Sequence, residues 1–224
     1  MWSAGPAPRP LGGVRKGALD VRLGLERGMR VGLFGGSFDP AHEGHAHVAE
    51  TAMRRLGLDR VIWLVSPGNP LKPWAPAELD RRMASARSKA KTGRRGGRML
   101  VSDAEAKLGV RYTIDTVRAL KARYPGVRFV WIMGADSLAG FHRWRGWTQL
   151  LREIPIAIVA RPGSAIKSRL APAARRYAHV RLPSGAARRL AMSDPPAWTF
   201  LHAPWNYASS TALRATSSSA SARH

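Results

Sequence analysis

The stretch Val31-Gly32-Leu33-Phe34-Gly35-Gly36-Ser37-Phe38-Asp39-Pro40-Ala41-His42-Glu43-Gly44-His45 limits what this chain can fold into more than any other part of it. Val31 to Phe34 is a short apolar run and reads as a buried strand. The run stops at Gly35-Gly36, a pair that allows positive φ and lets backbone approach a ligand closely. Beyond Asp39-Pro40 the apolar spacing becomes helical, with Val48, Ala49, Ala52, Met53 and Leu56 on related faces. Strand, glycine turn and helix in that order predict an α/β unit whose helix N-terminus, with its free N–H groups, favours an anion. His42 and His45 sit three residues apart at the helix entrance, on one side of its first turn. A nucleotide phosphate suits that place. Each piece alone also has a plainer explanation, the glycines as a tight turn and the histidines as solvated side chains; the combination is the more specific signal.

The rest of the chain repeats the alternation. Val61 to Val65 is a near-continuous apolar run, as expected of a central parallel strand covered on both faces. The turn-rich segment Ser66 to Pro73 leaves its C-terminal end, and Lys72 there is either a solvated loop lysine or a phosphate ligand. Ala77 to Ala90 reads as a helix with Leu79, Met83 and Ala86 inward and Arg81, Arg82 and Lys89 outward. Met99 to Val101 is a short strand. A helix begins near Thr113, where the hydroxyl either caps the helix or meets substrate. Val127 to Met133 is a strong strand ending in Gly134-Ala135-Asp136-Ser137, and a carboxylate at such a strand end can accept from ribose hydroxyls. The aromatic cluster from Phe141 to Trp147 suits either core or a stacking site. Ile154 to Ala160 adds a strand, and Trp198 to Leu201 fits a last one. Ser164 to Ser193 carries little pattern. Ala208 to Arg214 looks like a second hydroxyl-rich helix start, whose Ser and Thr either cap or hold phosphate oxygens, with Arg214 one turn along. Alternating strands and helices predict a doubly wound, Rossmann-like α/β fold with a parallel sheet and one ligand rim.

The 224 residues suffice for one sizeable core, expected over 29–215, between a basic Pro/Gly-rich extension over 1–28 and a serine-rich, disordered tail over 216–224. Cysteine is absent, which excludes disulfides and thiolate metal sites. No apolar run has membrane-spanning length and the N-terminus lacks a secretory apolar core, so a cytoplasmic protein is expected. The net charge of +23, from 37 Lys and Arg against 14 Asp and Glu, would favour polyanions. Yet the basic residues are spread along the chain, and no basic–aromatic stretch looks like a single-strand stacking platform. Nucleic acid is therefore not expected as the main partner, and attraction of phosphorylated substrates is the more economical consequence.

The opening stretch resembles the Gly-x-Phe-Asp-Pro-x-His-x-Gly-His signature of the nucleotidyltransferase superfamily, and Ser209-Ser210-Thr211 with Arg214 matches its Ser-Ser-Thr-x-x-Arg signature. Between them, Asn69-Pro70-Leu71-Lys72, Tyr112 to Thr116, Gly134 to Leu138, Phe141 with Trp144, and Arg161-Pro162-Gly163 are similar to bacterial nicotinate-nucleotide adenylyltransferases. The resemblance spans roughly Arg30 to Ala215. Asn69-Pro70-Leu71-Lys72 departs from the common Pro-Pro-His-Lys, and Ala208 stands where many members have Ile.

The resemblance implies transfer of the adenylyl group of ATP to nicotinate mononucleotide, giving deamido-NAD and pyrophosphate in NAD biosynthesis. It places His42, His45, Lys72 and Arg214 in catalysis on the triphosphate. It places Gly35, Gly36, Ser37, Phe38, Ser209, Ser210 and Thr211 around ATP. Thr113, Asp136, Trp144 and Lys72 would hold the mononucleotide, with Trp144 stacked on the pyridine ring. Mg²⁺ is expected on the ATP phosphates, with no dedicated protein cage. The rival expectations are another acceptor on the same fold, nicotinamide mononucleotide or phosphopantetheine, and a non-catalytic basic RNA-binding protein.

Overall fold

The computed structural model describes residues 22–68, 77–91, 96–160 and 170–202. The strands are β1 (Arg30–Gly36), β2 (Arg60–Val65), β3 (Met99–Ser102), β4 (Arg128–Gly134), β5 (Ile156–Ala160), β6 (Arg181–Leu182) and β7 (Trp198–His202). The α-helices are α1 (Glu43–Leu56), α2 (Leu79–Lys91), α3 (Ala104–Leu108), α4 (Thr113–Arg123), α5 (Ala135–Gly140), α6 (Trp147–Glu153) and α7 (Pro172–Arg176). The strands form one sheet in the order β3-β2-β1-β4-β5-β7-β6, and every pairing is parallel. This is the doubly wound α/β sheet expected from the alternating pattern.

Central strands buried on both faces explain the unbroken apolar runs. In β4, Phe129, Trp131 and Met133 enter one core with α4, α5 and α6, while Val130 and Ile132 enter the other with α1. Helix α1 turns its apolar residues Val48, Ala49, Ala52 and Met53 inward and stops at Gly57, whose φ of 65° lets its N–H reach back to the Met53 carbonyl. The N-terminal residues described also dock, with Leu23 buried and its N–H donated to the Tyr124 hydroxyl at 3.0 Å.

The order of the strands positions the site. β1 pairs with β2 on one side and β4 on the other, and the direction of winding reverses between β1 and β4. In open parallel sheets ligands bind outside the carboxyl ends of the strands at that reversal. No helix among the described residues is long and apolar enough to cross a membrane.

Three local readings change. The strand does not stop before the glycines: β1 runs on through Gly35 and Gly36, paired with Leu64 and Val65. Neither glycine has positive φ; that conformation falls to Phe38, at φ 47°. The helix read from Ala77 to Ala90 is α2, and Arg82 is not outward but only 2% exposed. The weakly patterned stretch from Ser164 to Ser193 contains, in its described part, α7, β6 and a 3₁₀ helix over Ser184–Met192.

Candidate active site

The turn between β1 and α1 is held by its own side chains. His42 is the N-cap of α1, and its Nδ1 accepts the Gly44 N–H at 3.1 Å. His45, one turn in, accepts the His42 N–H on its own Nδ1 at 3.2 Å. The His42 side chain also accepts from the backbone N–H of His45, and with the return bond from His42 to His45 this makes a reciprocal capping box from imidazoles, where hydroxyl and carboxylate groups are usual. An accepting Nδ1 carries no proton, so each neutral ring bears its proton on Nε2. The ring centroids lie 3.8 Å apart. Each ring in that tautomer donates only through Nε2–H, a chemistry suited to phosphate oxygens at a helix entrance. In this tautomer neither ring can ligate a cation through Nε2.

Phe38 anchors the turn. Its ring, 1% exposed, stacks on Trp63 at 5.1 Å and meets His45 edge-on at 5.0 Å. Left-handed backbone at a non-glycine residue costs about 1–2 kcal/mol, which burial of a phenyl ring, worth about 2–3 kcal/mol, offsets. The ring is thus committed to core. Gly35 answers to a neighbour rather than to a turn: a Cβ there would come within 2.6 Å of Trp131 Cζ2.

Arg82, expected on the outward face of its helix, is buried beneath this turn. Its guanidinium donates to the carbonyls of Ser37 (2.9 Å), Ser66 (2.6 Å), Pro67 (3.2 Å) and Ala77 (2.8 Å). Burial pulls its pKa below the ordinary arginine value, with the charge of Asp39 acting the other way. The Asp39 carboxylate accepts the Ala77 N–H at 3.3 Å. Only the placing of 82 between 79 and 86, on the inward arc, could have found it.

Across the reversal, β4 ends at Gly134, the N-cap of α5, and exposed Asp136 follows in the first turn. Trp144 is half-buried, edge-on to Phe141 at 5.3 Å and to Trp131 at 6.3 Å. Trp131 thus connects Trp144 to Gly35. Arg145 lies 4.6 Å over the Tyr112 ring, tying the Trp144 segment to the start of α4. Thr113 is the first residue of α4; the cap is Tyr112, which makes no side-chain cap bond. The capping explanation for Thr113 therefore falls. Below it, Glu105 is buried and accepts the Thr116 hydroxyl at 3.2 Å. Burial pushes its carboxyl up to about 7, with the Thr116 bond pulling the other way.

The fold thus brings His42, His45, Gly35, Gly36, Ser37 and Phe38 to one side of the reversal and Asp136 and Trp144 to the other, with Thr113 joined through Tyr112. Lys72, Ser209, Ser210, Thr211 and Arg214 lie outside the described residues.

A family model described as cytidylyltransferase-like matches residues 33–216. A relative from Caulobacter sp., named a probable nicotinate-nucleotide adenylyltransferase, is 67% identical over 187 residues, covering 83% of this chain and 97% of its own. The chain belongs to the nicotinate-nucleotide adenylyltransferase family. A Cereibacter sphaeroides member of the same name is 56% identical, covering 84% of this chain and 98% of its own. Among solved structures, the nicotinic acid mononucleotide adenylyltransferase of Plasmodium falciparum complexed with NaAD aligns with TM-score 0.64 at 16% identity, covering 84% of this chain and 83% of that one. At that identity the likeness concerns the fold, which is the same.

Proposed function

We propose that the chain transfers the adenylyl group of ATP to nicotinate mononucleotide, forming deamido-NAD and releasing pyrophosphate. The observation that carries this reading is the imidazole pair at the start of α1, beside the strand reversal, with each ring accepting a backbone N–H on Nδ1. A phosphate oxygen of the mononucleotide attacks the α-phosphorus of ATP in line. The bond from that phosphorus to the bridging oxygen breaks, and the electron pair leaves on pyrophosphate. No group on the protein is alkylated or phosphorylated. Catalysis then consists of positioning and charge stabilisation.

In this reading His42 and His45 donate to the triphosphate as its charge shifts toward the leaving group. The backbone of Gly35, Gly36, Ser37 and Phe38 lines the nucleotide side. Trp144 stacks on the pyridine ring, Asp136 accepts from ribose, and Thr113 lies near the nicotinate carboxylate. Lys72, Ser209, Ser210, Thr211 and Arg214 are assigned to phosphate by motif alone. A divalent cation, taken as Mg²⁺, is assigned to the ATP phosphates, since hard cations of this kind bind substrate phosphates with few protein ligands. When bound it neutralises phosphate charge. The cytoplasm is the proposed location.

A pyrophosphate-release assay with ATP and Mg²⁺ tests the reading, comparing nicotinate mononucleotide, nicotinamide mononucleotide and phosphopantetheine. Fastest release with the nicotinate compound is expected. A clear preference for phosphopantetheine would sink it.

A further inference from the structure

We propose that Arg82 is a positioning residue for the nucleotide half of the reaction, setting the distance between the turn that carries the histidines and the segment that follows β2. The inference rests on the proposed placement of ATP beside that turn.

A buried cation is retained only where its hydrogen bonds are met, and an aliphatic side chain would pack α2 without that penalty. Arg82 spends its donors on carbonyls from three separate segments: Ser37 after β1, Ser66 and Pro67 after β2, and Ala77 before α2. The planar guanidinium fixes the angles between these bonds, which a lysine ammonium on a flexible stem cannot do. Ser66 and Pro67 follow β2 and Ala77 precedes α2, so one side chain sets how far the end of that strand lies from the start of that helix.

The grip continues along the same helix. Ser85, one turn on, accepts the Ala41 N–H at 3.0 Å, and Lys89 pairs with Glu43 at 2.6 Å. Residues 82, 85 and 89 form one stripe at helical spacing. They contact positions 37, 41 and 43 in order, on both sides of His42. The stripe thus holds the turn at its start, middle and end, and Arg82 is its buried member. Phosphate donors are useful only within a fraction of an ångström of the right place, so a loosened turn should weaken nucleotide binding before it weakens acceptor binding.

The test compares Arg82→Lys and Arg82→Met with the wild-type chain, and Arg81→Ala, exposed on the same helix, serves as control. Binding of α,β-methylene-ATP is measured by calorimetry, and KM for each substrate by pyrophosphate release. Expected is a rise of about tenfold or more in Kd for the analogue and in KM for ATP, with KM for nicotinate mononucleotide within about twofold. Arg81→Ala should match the wild type. Equal losses for both substrates, or unchanged binding of the analogue, overturn the proposal. If Arg82→Met does not fold, Arg82→Lys decides, and its failure to fold also overturns the proposal by making Arg82 a determinant of the fold. A wild-type chain that binds the analogue but releases no pyrophosphate with nicotinate mononucleotide refutes the proposed function, while the calorimetry still judges Arg82.

Discussion

The two sides of the strand reversal are built on one buried tryptophan each, and they use it differently. On the nucleotide side Trp63 of β2 supports residues close to one another in sequence: Phe38 stacks on it, and Phe34 and His45 meet it edge-on. The histidines above are tied by bonds spanning two and three residues. On the acceptor side Trp131 of β4 meets Trp144, and Arg145 reaches back to Tyr112, more than thirty residues earlier. The histidine bonds of the first side close short loops, which is easy, whereas the Arg145–Tyr112 contact of the second closes a long one. The nucleotide side should therefore be rigid and hard to alter without loss of chemistry, and the acceptor side more tolerant and more responsive to its surroundings.

The largest expected effect lies on the nucleotide side. Replacing His45 with Ala should lower kcat roughly a hundredfold or more, the usual loss when a charge-stabilising donor is removed. Near-normal turnover in a folded variant would end its assignment to the triphosphate.

The acceptor side should show the pH response. Glu105 keeps its proton up to about pH 7 when folded, against an ordinary value of 4.5. Between those values the folded state binds more protons than the unfolded one, so stability falls as pH rises and levels off above about 7. The fall attributable to Glu105 is on the order of 3 kcal/mol. Urea unfolding at pH 5 and pH 8 should show this slope in the wild type and lose most of it in Glu105→Gln. An identical slope in both chains would remove the carboxyl from the explanation.

Gly35 joins the two sides, and its substitution probes the joint. Gly35→Ala should destabilise by about 1–3 kcal/mol through overpacking against Trp131. Adding Trp131→Leu should recover part of that loss, and a double-mutant cycle showing no coupling would refute the packing account. The smallest expected effect is at Trp144. Its replacement by Ala should raise KM for nicotinate mononucleotide by about tenfold, as loss of one aromatic contact implies, and change KM for ATP less. Matching rises for both substrates would count against stacking.

What could be read from the sequence follows the same division. β1, β2, β4 and β5 are continuous apolar runs, and the helical spacing after Pro40 locates α1, because central strands and amphipathic helices carry their burial in the residues themselves. Arg82 was misplaced although its spacing from Leu79 and Ala86 lies on the inward arc; its charge argued for water, and the carbonyls that satisfy it come from segments the helix pattern does not contain. The reason for Gly35 was likewise out of reach, since the indole that forbids a side chain there arrives almost a hundred residues later. α7 and β6 are too short to show a period, and they take their places from β7 and the core beneath them.

The reciprocal histidine cap has one more consequence. The bonds that start α1 are also the bonds that choose the tautomer, so the chain cannot form this helix end without aiming both Nε2–H groups. Folding and preparation of the donors become a single event. An alanine at either position then removes two things together, which a kinetic measurement alone cannot separate. Asn in place of His42 can still accept the Gly44 N–H while presenting no imidazole. Comparing it with Ala would apportion the loss between a frayed helix and a missing donor.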